Sequence, residues 1–190
     1  MMDCGQVLHY PTAVLFLVLT MNTNPDAVLD TALIASFKYE IPIDPSVLTT
    51  AQEKGVRIVK GRNGKCFPSF FKKARAVQNE KMLMGVLKKY RPYEHPIVKT
   101  DNTYIVLSID YYFPHKSSTP EWKRKFNLPM TNRPDVDNIS KAVIDCMTKC
   151  GFWEDDSQLA LKLSKFRSQN PRIEIGIDVF VVDALKEKST

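Results

Sequence analysis

An α+β fold, a single domain with a mixed β-sheet and helices packed on it, is what this sequence predicts, and three observations predict it. Residues 104–113 and 172–181 alternate apolar and polar side chains with the period of a half-buried strand. Residues 69–90 and 138–149 instead carry apolar side chains at helical spacing. The order of these segments along a chain of 190 residues suits one sheet covered by helices, built around one core.

Taken in order, residues 24–35 read as a short helix through Ala27, Val28, Leu29, Ala32, Leu33 and Ile34. A strand over 37–43 ends at Asp44-Pro45. Two short strands, 56–60 and 65–67, flank Gly61-Arg62-Asn63-Gly64, whose Asn-Gly step signals a hairpin. Pro68-Ser69 then announces a long helix with Ser69 as N-cap and Phe70, Ala74, Val77, Met84 and Leu87 along its stripe, closed by Arg91-Pro92. In the strand 104–113, Ile105, Leu107, Ile109, Tyr111 and Phe113 share one face. The loop 114–134 holds four of the twelve prolines. A helix over 138–149 follows, with Gly151 in the position glycine favours past a helix end. Strands 158–166 and 172–181, joined by Ser168-Gln169-Asn170-Pro171, complete the fold. Residues 36–190 are expected to be the working domain, and 1–35 an extension ahead of it. The apolar run 13–19 is too short to span a bilayer and has no basic segment before it, so neither a membrane anchor nor a secretory signal is expected; Met21 would serve equally well as a start. The four cysteines form no CxxC pair. They read as reduced thiols of a cytoplasmic protein, with Cys146 and Cys150 as half a zinc site the weaker alternative.

The net charge of +6 is unevenly distributed. Between Lys54 and Arg75 there are eight basic residues and no acid, including Lys60, Arg62, Lys65, Lys72 and Lys73. Between His115 and Arg133 there are five more, Lys116, Lys123, Arg124, Lys125 and Arg133, against the single acid Glu121. These segments carry twelve net positive charges, which leaves the remainder at −6. An acidic body with two basic segments suits a polyanion groove, although solvated loops would look the same.

The chemistry concentrates in Arg133-Pro134-Asp135-Val136-Asp137-Asn138-Ile139-Ser140-Lys141, then Asp145, then Glu154-Asp155-Asp156-Ser157-Gln158. After Pro134 an extended chain would point Asp135 and Asp137 to the same side. Asp137 would lie at a helix N-terminus, where the dipole favours negative charge, and Lys141 and Asp145 would follow on its face. Asp-x-Asp before a helix is more often a cap, and Asp-Asp after a glycine more often a solvated turn. Together, however, three carboxylates repel unless a cation lies among them, and hard oxygen donors suit magnesium or manganese. Carboxylates with a lysine beside basic loops are the parts of a metal-dependent nuclease, the lysine offering charge to a pentavalent phosphate.

The runs RPDVDNISKAVIDCM and GFWEDDSQL resemble the signature of the RusA family of Holliday-junction resolvases. That resemblance implies that Asp135, Asp137 and Asp156 are metal-binding carboxylates for Mg²⁺ or Mn²⁺, that Lys141 is the essential lysine, and that Asp145 and Asp155 support them. It further implies a homodimer that nicks a four-way DNA junction symmetrically, with Lys60, Arg62, Lys65, Lys72, Lys73, Lys123, Arg124, Lys125 and Arg133 on the DNA. The turn Ile43-Asp44-Pro45-Ser46-Val47 keeps only part of a family pattern. Two alternatives stay open: a metal nuclease acting on other branched or duplex DNA, and a DNA-binding homologue without catalysis. The second predicts loss of one of the four central residues, and all four are present.

Overall fold

A computed structural model describes residues 29–48, 54–93 and 95–184. In chain order its elements are β1 (Leu29–Ile41), β2 (Lys54–Lys60), β3 (Cys66–Lys72), α1 (Ala74–Leu87), β4 (Thr103–Pro114), α2 (Glu121–Arg124), β5 (Leu128–Pro129), α3 (Val136–Lys149), β6 (Leu159–Ser168) and β7 (Arg172–Ala184). Among the described residues, five strands form one sheet in the order β1-β7-β4-β6-β5, while β2 and β3 pair only with each other. β4 and β6 run parallel and the other neighbours antiparallel, so the sheet is mixed and the fold is the predicted α+β architecture. A parallel pair needs a long crossover, and α3 provides it.

Alternation along the strands decides which face is buried. Phe37, Tyr39 and Ile41 of β1, Ile105, Leu107, Ile109, Tyr111 and Phe113 of β4, and Ile173, Ile175, Ile177 and Val179 of β7 are all buried. Ile139, Val143 and Met147 of α3 and Leu83 and Leu87 of α1 join them in one core. A fully buried side chain of this size contributes about 1.5–3 kcal/mol, against under about 1 kcal/mol for an exposed ion pair. Apolar packing, rather than surface charge, therefore fixes α3 against the sheet. The opposite face carries Lys38, Glu40, Ser108, Asp110, Glu174 and Asp178 around a cleft of about 570 Å³.

Three expectations are corrected. The helix expected over 24–35 is strand from Leu29 onward; residues 24–28, like the apolar run 13–19, lie outside the described residues. β1 pairs with β7 along its whole length, and position 35/36 falls inside this strand. Its register shifts between Leu33 and Ala35, leaving Ile34 as an extra residue. That bulge breaks the two-residue period and brings apolar residues together as a helix would. The long helix begins at Ala74 with Lys73 as N-cap, because Pro68, Ser69 and Phe70 belong to β3. Proline is tolerated there, since β3 has no neighbour beyond β2 among the described residues. Finally, α3 starts at Val136, two residues before the expected 138.

Candidate active site

The early start of α3 changes the geometry expected of its two aspartates. Asp135 is the extended N-cap residue (φ −70°, ψ 133°), and Asp137 is already in the first helical turn, so the same-side argument for an extended chain does not apply to them. Asp135 makes no side-chain capping bond. Both residues are exposed at the helix end whose dipole favours negative charge. Asp137, Lys141 and Asp145 line one face of the uninterrupted helix, the first two exposed and Asp145 half-buried. The segment entering α3 is held from β6, where Lys165 Nζ donates to the carbonyls of Asn132 and Pro134, both at 2.8 Å.

Asp156 opens a 3₁₀ turn, Asp156–Gln158, and Asp155 caps it by accepting from the Ser157 N–H at 2.9 Å. Lys99 clasps the turn from outside, donating to Asp155 Oδ2 and Ser157 Oγ, both at 2.8 Å. The Lys99 ammonium first, then the Ser157 N–H, hold the Asp155 carboxyl down to about 2. Behind the turn, Ile97 bridges Trp153 as a short parallel pair, and buried Gln158 donates to the Ile97 carbonyl at 3.4 Å. Asp155 is thus committed within its own chain, whereas Asp156 is exposed beside it.

The two halves of the constellation lie at opposite ends of α3. Lys165, which holds the Asp135 end, pairs with Tyr111 late in β4, whereas Leu159, just after the Asp156 turn, pairs with Ile105 near its start. The helix between them has 14 residues, so Asp156 is separated from Asp135 and Asp137 by on the order of 20 Å. Among the described residues, no three His, Cys, Asp or Glu side chains are gathered closely enough to hold a metal ion. The donors are of the hard oxygen type that magnesium and manganese take, but one chain does not assemble them into a ligand set. The cleft on the far sheet face includes none of these residues.

The basic residues divide as well. Lys60, Arg62 and Lys65 are exposed around the tip of the β2–β3 ribbon, and Lys73, Lys123, Lys125 and Arg133 are exposed elsewhere. Lys72 is paired with Glu80 at 2.6 Å, and the same carboxylate takes Lys149 of α3. Arg124 is turned inward, donating to the carbonyls of Thr119 at 2.8 Å and Ser117 at 2.7 Å, so it shapes its loop. Sequence reading missed Lys99 and Lys165. Each meets its partners across 31 or more residues, so no local spacing marks either one. The described cysteines are free, and burial pushes the Cys146 thiol up to about 11.

Residues 47–178 match the family described as endodeoxyribonuclease RusA. The chain is 33% identical over 142 residues to a crossover junction endodeoxyribonuclease of Lactococcus phage r1t, covering 74% of this chain and 96% of that protein. The chain belongs to the RusA family. A shorter match, 48% identical over 33 residues, links it to the Escherichia coli K12 crossover junction endodeoxyribonuclease RusA, covering 17% of this chain and 28% of that protein. As a RusA-family member the chain is an endodeoxyribonuclease, a hydrolase of DNA phosphodiesters. The segment matching RusA contains the ribbon, α1, α3 and the Asp155–Asp156 turn, and with them every site residue named from the sequence. No helix among the described residues of this RusA relative is long and apolar enough to cross a membrane.

Proposed function

We propose that this endodeoxyribonuclease resolves four-way DNA junctions by paired symmetric nicks, using catalytic centres that two copies of the chain build together. The observation that carries the reading is the division of the carboxylates between the two ends of α3. A two-fold dimer that lays the Asp156 turn of one copy against the Asp135–Asp137 end of the other completes two equivalent centres at once. A junction offers two equivalent strands to such a dimer. The relatives named crossover junction endodeoxyribonucleases support this choice of substrate over duplex or flap DNA.

In this reading Asp135 and Asp137 of one copy and Asp156 of the other hold Mg²⁺ or Mn²⁺. When bound, the cation supplies Lewis-acid polarisation of the scissile phosphate. Lys141, one turn beyond Asp137, places a point positive charge against the pentavalent phosphate. Asp145 sits one further turn along the same helical face, where it would support Lys141. Asp155 keeps the turn in shape through Lys99, which leaves Asp156 free to face the other copy. Lys60, Arg62, Lys65, Lys73, Lys123, Lys125 and Arg133 follow the phosphate backbone, giving salt-dependent affinity without reading bases. The nuclease acts on DNA in the cytoplasm.

The test is cleavage of a synthetic four-way junction in Mg²⁺, beside duplex and flap DNA, by the parent protein and Asp137→Asn. Paired nicks in opposite arms are expected from the parent. The variant should bind the junction with unchanged affinity and lose roughly a hundredfold or more in rate, since it removes a charge used only in the chemistry. Equal cutting of duplex or flap would refute the junction assignment. Junction binding without cutting by the parent would favour the non-catalytic reading.

A further inference from the structure

β2 and β3 pair from Lys54↔Lys72 to Lys60↔Cys66 and join no other strand among the described residues. The register puts Val56 opposite Phe70 and Ile58 opposite Pro68, so these four share one face, with Lys60 toward the tip and Lys72 at the base. On that face Val56 is 59% exposed, Ile58 77% and Phe70 68%. The other face also exposes apolar side chains, but less of each, with Val59 at 42%, Phe67 at 51% and Phe71 at 44%. The Phe71 ring lies over Gly55, where an added Cβ would meet it at 2.4 Å, and the Arg57 guanidinium stands 5.9 Å from its centroid.

A two-stranded ribbon is marginal by itself, and a contiguous apolar strip left in water marks a surface meant to be covered. Charge identifies the cover. From Lys54 to Arg75 the chain has no acid, and Lys60, Arg62 and Lys65 crowd the tip. Two such ribbons laid together would set like charges against each other. A polyanion with exposed π faces matches both properties, and DNA bases at a branch point are such a surface. The ribbon is also held in place: Lys72 at its base binds Glu80, and Glu80 binds Lys149 at the end of α3 nearer the Asp156 turn.

We propose that the Val56–Ile58–Pro68–Phe70 face is an apolar wedge that packs against unstacked bases where the strands of the substrate exchange, with the tip lysines and Arg62 on the flanking phosphates. This deepens the junction reading and rests on it. The wedge is what distinguishes a branch point from continuous duplex, since stacked bases in a duplex offer it no π face.

The test uses full-length protein carrying Asp137→Asn, so that binding is seen without cutting, and a four-way junction with 2-aminopurine at the branch point. Binding should raise the fluorescence as the base unstacks. Adding Ile58→Ser with Phe70→Ser should abolish that rise and cut the preference for junction over duplex by roughly tenfold, the order expected for loss of stacking. Duplex affinity and the circular dichroism spectrum should stay unchanged. Phe70→Trp alone, which keeps a stacking ring, should retain the signal and thereby exclude a folding defect in the ribbon. A double-serine variant with full fluorescence and full junction preference would overturn the wedge and leave the junction reading intact. If the double serine converts a dimer to monomer in sedimentation, the strip is covered by a second copy and the wedge is wrong. A parent that shows no junction preference overturns the reading and the wedge together.

Discussion

Asp155 and Asp156 are adjacent in the chain, yet the fold uses them in opposite ways. Asp155 is bound by Lys99 and by the Ser157 N–H, whereas Asp156 stands exposed at the start of the 3₁₀ turn. Because the Asp155 carboxyl is held at about 2, below its ordinary 3.8, these contacts stabilise the fold in full above about pH 4 and lose their effect as pH falls through about 2. In Lys99→Met the largest cause is gone. The Asp155 carboxyl should then titrate higher, approaching 3.8 but stopping short of it because the Ser157 N–H remains. Carboxyl-carbon NMR titration reads this directly, and a value still near 2 would show that Ser157 alone holds the group. The sequence displayed both aspartates but not the difference between them, since Lys99 lies 56 residues away.

At the scale of elements, α3 carries the most consequence, because it places Asp135, Asp137 and Lys141 and separates them from Asp156. Its grip on the sheet comes from buried Ile139, Val143 and Met147, and Ile139 lies only two residues from Asp137. Ile139→Ala should therefore cost about 2–5 kcal/mol, read by denaturant unfolding, and should loosen the aspartates as well. Gly151, with φ +77°, ends the helix; the space beside it is adequate, with Arg91 Nη1 at 3.4 Å, so Gly151→Ala should cost only about 1 kcal/mol through backbone strain. A larger loss would mean that the crossover between α3 and β6 tolerates less adjustment than this spacing implies. α3, β4 and β7 were legible in the sequence because each keeps one unbroken period over ten or more residues, and Gly151 because glycine favours the position just past a helix end. β1 and β3 were not legible at their ends, for physical reasons. A bulge at Ile34 interrupts the period of β1. In β3, Pro68-Ser69 has the composition of a helix start but lies in a ribbon free to accept proline.

For the whole molecule, the decisive question is whether the catalytic side chains meet across copies or within one, and local sequence patterns carry no signal for that. The sequence brought Asp135, Asp137, Lys141 and Asp156 together as a chemical set. The fold then places Asp156 about a helix length from the other carboxylates, because a parallel crossover must return to the opposite end of the sheet. Mixing two inactive variants distinguishes a centre shared between copies from one within a chain. If the centre is shared, a dimer of one Asp137→Asn copy and one Asp156→Asn copy has one centre with both lesions and one with neither. Statistical exchange of the two proteins should then restore about one centre in four. Because a restored dimer has a single live centre, the product should be junction nicked in one arm, with few resolved pairs. Mn²⁺ binding, measured by its paramagnetic resonance, should return to the same extent and so report the ligand set apart from cleavage. If each centre lies within one chain, every copy in the mixture carries a lesion, and neither nicking nor Mn²⁺ binding returns at any mixing ratio.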